Sequence, residues 1–351
     1  MSLFAPMSVI TKFEIDMLDV KAADAFLLHA FIDYEGREVE YVVLIDAGNE
    51  GDGKKILNHI NTYYTQKYID LAICTHCDSD HYGGFKELIE EHKKTTSSFE
   101  IKQFWVHDPY KHVDVDDVKY IRNNQTLRKR LNEAYAFKDG SSLIDLIDNA
   151  KISRDEPFVG KDYDIVNLYV LGPDKAYYES LIPDFRVDLD FIDEQNDDVY
   201  EGFNKIFYNT EEEFFSKTLD NAADDPSKVN QSSVILAFGA GSDVFLFTGD
   251  AGREALQRVI NIDKRGVLRN VKWMKVPHHG SKHNLNSAII NYFHPRTSYI
   301  STEKYGKFAN ISTVNALKKV GYVYSTHKDG HSIRHNEGMT DRAGYSPVDP
   351  L

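Results

Sequence analysis

The most informative run of this chain is Thr75-His76-Cys77-Asp78-Ser79-Asp80-His81-Tyr82-Gly83-Gly84. It places two imidazoles and two carboxylates between positions 76 and 81, directly after the apolar run Leu71-Ala72-Ile73-Cys74. That apolar run is typical of a buried strand. His and Asp side chains in a loop suit a borderline or hard divalent metal ion. Because α/β folds carry their chemistry outside the carboxyl ends of strands, this loop predicts a metal site.

Three further strand ends carry side chains that can bind metals. The predicted strand 41–45 ends at Asp46, the strand 244–247 is followed by Asp250, and the strand 271–276 is followed by His278 and His279. Each of these residues lies within two positions of a glycine. One such strand end is common, but four in one chain suggest that the strand ends converge on one site.

The composition limits the classes of function. The chain has 351 residues and a net charge of −14, which disfavours tight binding to duplex DNA because phosphate binding needs a basic surface. A small anionic substrate held by a metal ion remains compatible with this charge. The two cysteines, Cys74 and Cys77, imply no disulfide framework and fit a reducing cytoplasm. We find no apolar run of about 18 residues and no secretion signal at the start, so no membrane partner is expected.

Strand and helix patterns alternate along most of the chain, and we expect a single domain over residues 8–340. Insertions near 108–160 and 175–229 are polar, the second strongly acidic, and we expect both to shape the pocket. Residues 101–106 are typical of one strand, which ends at His107. A histidine at a strand end can be a ligand, a substrate contact or a structural residue, and its sequence leaves these alternatives open.

Together these motifs resemble the metallo-β-lactamase fold superfamily, and within it the ComEC-type metallo-hydrolase domains of bacterial DNA-uptake proteins and their soluble relatives. The superfamily motif His-x-His-x-Asp-His corresponds to His76-x-Asp78-x-Asp80-His81, and ComEC-type chains likewise tend to have Asp at the second position. The remaining motifs follow in the expected order: Leu18 to Ala25, Leu44 to Gly48, Asn230 to Val234, Phe247 to Asp250, and Lys275 to Ser281.

The chain departs from this family pattern in several places, one of which is the 175–229 insertion, which is larger than expected. It has Lys21-Ala22-Ala23 where the family has Gly-Gln-Gly, which stiffens that turn. The isolated third-motif histidine of the superfamily has no clear counterpart, and residues 230–233 occupy that position in the order. Residues 306–309 replace the usual Gly-His-Pro segment. A role in DNA uptake does not follow from the resemblance.

The resemblance implies a four-layer αββα sandwich with two mixed β-sheets, and two divalent metal ions, zinc or manganese, at one edge. It implies that the ions share a hydroxide and that Asp80 and Asp250 are catalytic. The ligands that it implies are His76 and Asp78 on one ion, Asp80 and His81 on the other, Asp250 as a bridge, and His278 or His279 completing the second site. Asp46 and Asp24 are expected to hold a ligating histidine in the correct tautomer.

The implied function is that of a metal-dependent hydrolase, foremost a phosphodiesterase or nuclease-like enzyme acting on a small anionic substrate or single-stranded nucleic acid. An ester, lactone or thioester hydrolase is an alternative, because one fold serves many substrates. A non-catalytic metal-binding regulatory module is another. Cys74-x-x-Cys77 resembles a redox or zinc pair, but the sequence has no second pair. The pattern is typical of a strand-core residue at Cys74 and a loop residue at Cys77, so no redox role is expected. The oligomeric state is left open.

Overall fold

The structure is a computed structural model that describes residues 8–113, 127–186, 218–303, 309–326, 331–343 and 345–351. Parts of both predicted insertions, residues 114–126 and 187–217, therefore lie outside the described residues. So does most of the segment 306–309. The expected domain boundaries and the pocket-shaping role of the insertions stay predictions.

Sixteen strands are present in the described residues. They are β1 Val9–Met17, β2 Phe26–Tyr34, β3 Arg37–Ile45, β4 Tyr68–Ile69, β5 Leu71–Ile73, β6 Glu100–Ile101, β7 Gln103–Trp105, β8 Ser153–Asp155, β9 Asp162–Tyr163, β10 Leu168–Gly172, β11 Ile235–Ala240, β12 Asp243–Phe247, β13 Trp273–Lys275, β14 Thr297–Ile300, β15 Tyr322–Ser325 and β16 Ile333–Glu337.

The α-helices in the same ranges are α1 Gly53–Tyr63, α2 Ser79–Tyr82, α3 Phe85–His92, α4 Leu127–Asn132, α5 Leu143–Asn149, α6 Lys175–Leu181, α7 Lys228–Gln231, α8 Arg253–Ile262, α9 Ser287–Phe293 and α10 Ile311–Lys318. Short 3₁₀ turns cover Pro109–Lys111, Asp164–Val166, Ile182–Asp184 and His278–Gly280. No helix of the described ranges is both long enough and apolar enough to cross a lipid bilayer.

Two seven-stranded sheets form the centre of the molecule. The first has the order β16-β1-β2-β3-β5-β7-β8, and the second has the order β15-β14-β13-β12-β11-β10-β9. In each sheet one half is antiparallel and the other half is parallel. Because the carboxyl ends of parallel strands meet at one edge, each sheet presents its strand-end loops at that edge.

The inner faces of the two sheets pack on each other through aromatic side chains. Phe13 of β1 meets Phe238 of β11 at a ring distance of 4.9 Å, and Phe26 of β2 meets Trp273 of β13 at 6.0 Å. All four side chains are buried. Full burial of a side chain of this size contributes about 2 kcal/mol or more, so this aromatic layer is a main source of cohesion between the sheets.

Helices cover the outer faces. Buried apolar residues of α1 and α3, such as Ile56 and Leu88, lie in the same cluster as outward-facing residues of the first sheet, and Leu256 of α8 does so for the second. The predicted four-layer αββα sandwich with two mixed sheets is thereby confirmed.

One local expectation was wrong. Residues 101–106, expected as a single strand, divide at Lys102 into β6 and β7. β6 pairs with β4 in a separate two-stranded sheet, whereas β7 joins the first large sheet beside β5. The division arises because Lys102 donates its backbone N–H to the Ile69 carbonyl at the point where the two pairings diverge.

Candidate metal centre

The strand-end loops of both sheets meet at one edge of the sandwich. The loop after β5 lies beside the loop after β3, because the N–H of Asp46 donates to the Ile73 carbonyl at 2.8 Å. It also reaches the second sheet, since the N–H of Val234 donates to the Thr75 carbonyl at 2.9 Å. The predicted convergence of strand ends therefore has a backbone basis.

The two glycines that follow the motif permit this close approach. A Cβ atom added at Gly84 would lie 2.1 Å from the carbonyl oxygen of Ala47, and one added at Gly83 would lie 2.2 Å from the Glu50 nitrogen. Both neighbours are backbone atoms, which cannot turn aside as a flexible side chain can. Larger residues here would push α2 and its histidine away from the loop that carries Asp46.

His81 is held in one orientation by Asp46. Its Nδ1 lies 2.7 Å from Asp46 Oδ2, and the same carboxylate accepts the backbone N–H and the hydroxyl of Thr75, each at 2.7 Å. A carboxylate at Nδ1 favours the tautomer with hydrogen on Nδ1, which leaves the Nε2 lone pair available. That nitrogen faces Asp250 Oδ1 at 3.4 Å and Asp80 Oδ2 at 3.8 Å.

The ring of His76 is also held at Nδ1, which leaves Nε2 facing the other donor atoms. Its Nδ1 contacts the hydroxyls of Thr75 at 3.1 Å and Ser233 at 3.3 Å. Ser233 also accepts the N–H of Asp250 at 3.0 Å, so one hydroxyl links the two strand-end loops. The Nε2 atom is buried without a hydrogen-bond partner in the described part of the chain and lies 3.5 Å from Asp78 Oδ2.

The two adjacent histidines of the last motif differ in their contacts. His279 is buried and its Nδ1 donates to the Ser301 carbonyl at 2.8 Å, so that Nε2 faces Asp80 Oδ2 at 3.2 Å. His278 directs its Nδ1 to Asp225 at 3.1 Å, and its Nε2 is 4.0 Å from Asp250 Oδ2. Nε2 of His279 could therefore bind a metal ion together with Asp80, whereas His278 is in none of the donor groups found in the described residues.

These side chains form overlapping groups of donor atoms. Within each group the donor atoms lie within 4.8 Å of one another. The groups are His76, His81 and Asp250; Asp80, His81 and His279; and Asp24, Asp46 and His81.

The first two groups fit a metal better than the third. In the third group, Asp46 already accepts from Thr75 and His81, and Asp24 is ion-paired with Lys275. The first two contain buried His76 Nε2 and His81 Nε2, which have no hydrogen-bond partner among the residues described. Two imidazole nitrogens without hydrogen-bond partners, beside carboxylates, form a donor set that could hold a divalent metal ion.

A buried lysine supplies positive charge beneath these groups. Lys275 lies 3.0 Å from Asp250 Oδ1 and forms a shorter ion pair with Asp24. Burial alone would raise the pKa of Asp250, but Lys275 and the neighbouring histidines outweigh it and hold that pKa well below its usual range. Burial acts to lower the pKa of Lys275, and Asp24 and Asp250 reverse this, so its pKa is raised. Both groups are therefore ionised.

The pKa of His278 is also shifted by neighbouring carboxylates. Its burial favours the neutral ring, but the charges of Asp250 and Asp225 outweigh this and raise the pKa of His278 to about 9. Asp225 is buried and lies 53 residues earlier in the chain than its partner. Sequence reasoning missed Asp225, because nothing in the acidic segment around it distinguishes it from a solvated carboxylate.

Asp78 has a partner that the sequence did not reveal. The guanidinium of Arg186 donates Nη1 to Asp78 Oδ1 at 2.6 Å, and its Nη2 contacts the Cys77 carbonyl. Asp78 is not in the close donor groups found among the described residues, although its other oxygen faces His76. No sequence signal marks Arg186, which lies 108 residues from Asp78.

His107 lies in an aromatic environment and outside the donor groups found in the described ranges. Its ring packs between Phe158, at a centroid distance of 4.6 Å, and Tyr178, at 4.4 Å. Burial lowers the pKa of His107 to about 3, so the ring is neutral. These contacts match the structural alternative that the sequence left open for this residue.

Comparisons with known proteins place the loop 75–84 inside a family match. Residues 35–165, which include the loop 75–84, match the family model described as the metallo-β-lactamase superfamily. The chain is 23% identical over 312 residues to ComE operon protein 3 of Bacillus subtilis, a match that covers 84% of this chain. It spans only 29% of the length of that relative.

Two solved structures are similar at a coarse level. The metallo-β-lactamase fold protein YhfI from Bacillus subtilis has 10% identity and a TM-score of 0.44, with 93% of this chain and 100% of that chain covered. A diphosphatase from the PhnP family has 8% identity and a TM-score of 0.37, with 83% and 86% covered. Over residues 35–165 the chain is thus similar to the metallo-β-lactamase superfamily, and the motif loop inside that match lies at the edge of the two sheets.

Proposed function

We propose that this protein is a metal-dependent hydrolase that cleaves phosphodiesters with two divalent metal ions, zinc or manganese. The observation that carries the proposal is the adjacency of two donor groups, His76/His81/Asp250 and Asp80/His81/His279. Nε2 of His81 has one lone pair and would bind one ion, whereas the two oxygens of Asp250, which face His81 and His279, could bind both. Paired metal sites of this kind clamp the attacking and leaving oxygens in phosphatases and nucleases. When bound, such ions activate water and stabilise negative charge on the attacked group.

The chain's own residues prepare the site for that chemistry. Asp46 keeps the proton of His81 on Nδ1, and the Ser301 carbonyl does the same for His279, so both imidazoles offer Nε2. Lys275 orients Asp250 from below through the 3.0 Å ion pair. Burial excludes water from these partners, which strengthens each electrostatic contact. Asp80 and Asp250 are the residues that we expect activity to depend on most.

Charge narrows the substrate class. With a net charge of −14, the protein repels long polyanions, and a small anionic phosphodiester such as a nucleotide fits better than duplex DNA. Single-stranded nucleic acid is compatible if only a short segment enters the site. Binding would then rest on the metal ions themselves and on few surface charges.

Hydrolysis of bis-p-nitrophenyl phosphate tests the proposal. The protein is stripped of metal with a chelator and assayed after addition of Mn²⁺ or Zn²⁺, beside Asp80→Ala and the matched surface variant Asp139→Ala. Asp139 pairs with Lys86 at the surface and provides a control for the loss of a carboxylate. We expect metal-dependent turnover in the wild type and in Asp139→Ala, and its loss in Asp80→Ala.

The same preparation separates the alternatives. Metal-dependent hydrolysis of p-nitrophenyl acetate or a thioester, with none of the phosphodiester, would replace the proposal by an ester or thioester hydrolase. Stoichiometric metal binding without turnover of any of these substrates would favour a regulatory module. Full activity and full metal content in Asp80→Ala would contradict the site itself.

A further inference from the structure

Arg186 is a feature of the site that neither the sequence motifs nor the proposed chemistry accounts for. Its guanidinium binds Asp78 through the 2.6 Å contact of Nη1 with Oδ1. Its Nη2 contacts the carbonyl of Cys77, the residue before Asp78. Arg186 therefore binds both the side chain of Asp78 and the backbone carbonyl of the residue before it.

The contact with Arg186 leaves the second carboxylate oxygen of Asp78 facing His76. Oδ1 is taken by Arg186, whereas Oδ2 lies 3.5 Å from His76 Nε2. Atoms bound to one ion at about 2.1 Å stand roughly 3 Å or slightly more apart, so a small adjustment would bring this pair to ligand spacing. A carboxylate whose second oxygen is held by a donor is a monodentate ligand in the orientation that its neighbour sets.

Hydrogen bonds from Arg130 hold the backbone of the segment just before Arg186. Arg130 of α4 is buried and donates to the carbonyls of Phe185 at 2.7 Å and Pro183 at 2.8 Å. The ring of Phe185 packs edge-on against Tyr178 at 5.9 Å. A guanidinium on so fixed a backbone loses little conformational freedom when it binds a carboxylate, which makes it suited to positioning.

Two unfavourable features of Arg186, one of its backbone and one of its side chain, indicate that the surrounding contacts hold it in position. Its backbone has φ of 60°, a left-handed conformation that non-glycine residues rarely adopt. Its Nε is buried and has no hydrogen-bond partner among the residues described. Strain and an unmade hydrogen bond together persist when surrounding contacts over-determine a conformation, and they are typical of functional sites.

We propose that Arg186 is a positioning residue for the first metal ion, holding Asp78 as a monodentate ligand beside His76. The inference rests on the proposed function, because it assigns Asp78 to that ion. The charge of Arg186 also offsets one of the several carboxylates around the ions.

Isothermal titration of metal-stripped protein with Zn²⁺ or Mn²⁺ tests this role. We expect two binding events in the wild type. Removal of an outer partner of a metal ligand typically lowers affinity about 10- to 100-fold, so Arg186→Ala should weaken one event by this factor and leave the other unchanged. Arg186→Lys should recover part of the loss, since lysine keeps the charge but cannot form the paired contact. Arg258→Ala, which removes an exposed arginine stacked on Tyr177, is the matched control and should change neither event.

A double-variant cycle separates positioning from a general effect on folding. In an Asp78→Asn background, Arg186→Ala should cause no further loss of affinity, because its partner is already altered. Independent, additive losses would overturn the proposal, as would Arg186→Ala binding both ions with wild-type affinity. A metal-loaded wild type that cleaves no phosphodiester would contradict the proposed function but leave this comparison of affinities decisive. Failure of the wild type to bind either metal would overturn both.

Discussion

Lys275 and Asp250 form a buried ion pair directly beneath the donor atoms of the candidate metal centre, with Nζ 3.0 Å from Oδ1. Lys275 also pairs with Asp24, so one ammonium compensates two buried carboxylates. A bound metal ion would supply positive charge to the same Asp250. The lysine and the metal therefore neutralise overlapping charge, and the stability of the protein without metal depends on the lysine.

Replacement of Lys275 by Met should destabilise the metal-free protein more than the metal-loaded protein. Loss of one partner of a buried pair costs about 3–5 kcal/mol, and bound metal should offset part of that loss at Asp250. Urea unfolding with chelator and with Zn²⁺ measures both states. Lys272→Met is the matched control, because Lys272 pairs near the surface with Asp243 and Glu337, where a pair contributes about 1 kcal/mol or less. Equal losses in the two states of Lys275→Met would contradict this expectation.

The two adjacent histidines should differ in their effect on metal content. His279→Ala removes an Nε2 that faces Asp80 at 3.2 Å, whereas His278→Ala removes a ring whose Nε2 lies 4.0 Å from Asp250. We expect His279→Ala to lose about one metal equivalent, and His278→Ala to keep more of its metal. Metal analysis after equilibrium dialysis decides between them. The same small loss in both variants would remove this segment from the metal centre.

The two cysteine thiols should be unreactive in the folded protein. Burial raises the pKa of Cys77 to about 12 and raises the pKa of Cys74 well above its usual value. Relative to an ordinary thiol with a pKa of 9, this lowers the thiolate fraction of Cys77 at neutral pH about 1,000-fold. Labelling with dithionitrobenzoate should be slow in the native state and rapid, with two thiols, in urea. Rapid labelling of the native protein would contradict this expectation and favour a redox role for Cys74 and Cys77.

His29 should make stability depend on pH. Its ring nitrogens each lie 2.8 Å from a buried carboxylate, that of Glu14 and that of Glu40. Burial favours the neutral ring, but hydrogen bonds to the two carboxylates outweigh it and raise the pKa of His29. The folded state thus binds this proton more tightly than the unfolded chain does. Its stabilising effect is fully present below about pH 6.5 and is lost as the pH rises through the raised value.

His29→Gln should therefore be destabilised by about 3 kcal/mol below pH 6.5, and the difference from the wild type should narrow as the pH rises above that value. Urea unfolding between about pH 5.5 and 8.5 measures this difference. The exposed His294, replaced in the same way, is the control and should show a small difference at every pH. A difference for His29→Gln that is constant across this range would show that folding does not raise the pKa of this ring.

Local patterns of the sequence predicted the alternating strands and helices and the candidate donor residues, whereas the four-layer sandwich was expected from the resemblance of the motifs to a known family. Apolar runs that stop abruptly at Asp or His predicted the strand ends, because burial and periodicity are properties of neighbouring residues. The spacing of His76, Asp78, Asp80 and His81 within one loop made them candidates without knowledge of any distant contact. The strand expected over 101–106 failed because its two halves pair with different partners, which no local pattern records.

The sequence by itself thus determined the succession of strands and helices and the types of donor atom at the strand ends, and its motifs, by resemblance, led to the expectation of a four-layer sandwich. Only the tertiary structure decided which nitrogen of each histidine faces that edge: Asp46 turns Nε2 of His81 inward, and the Ser301 carbonyl does so for His279. The same is true of Arg186, which meets Asp78 across 108 residues. The physical reason is that secondary structure follows from short-range periodicity and burial, whereas the orientation of a side chain depends on hydrogen bonds to partners that packing brings from distant parts of the chain.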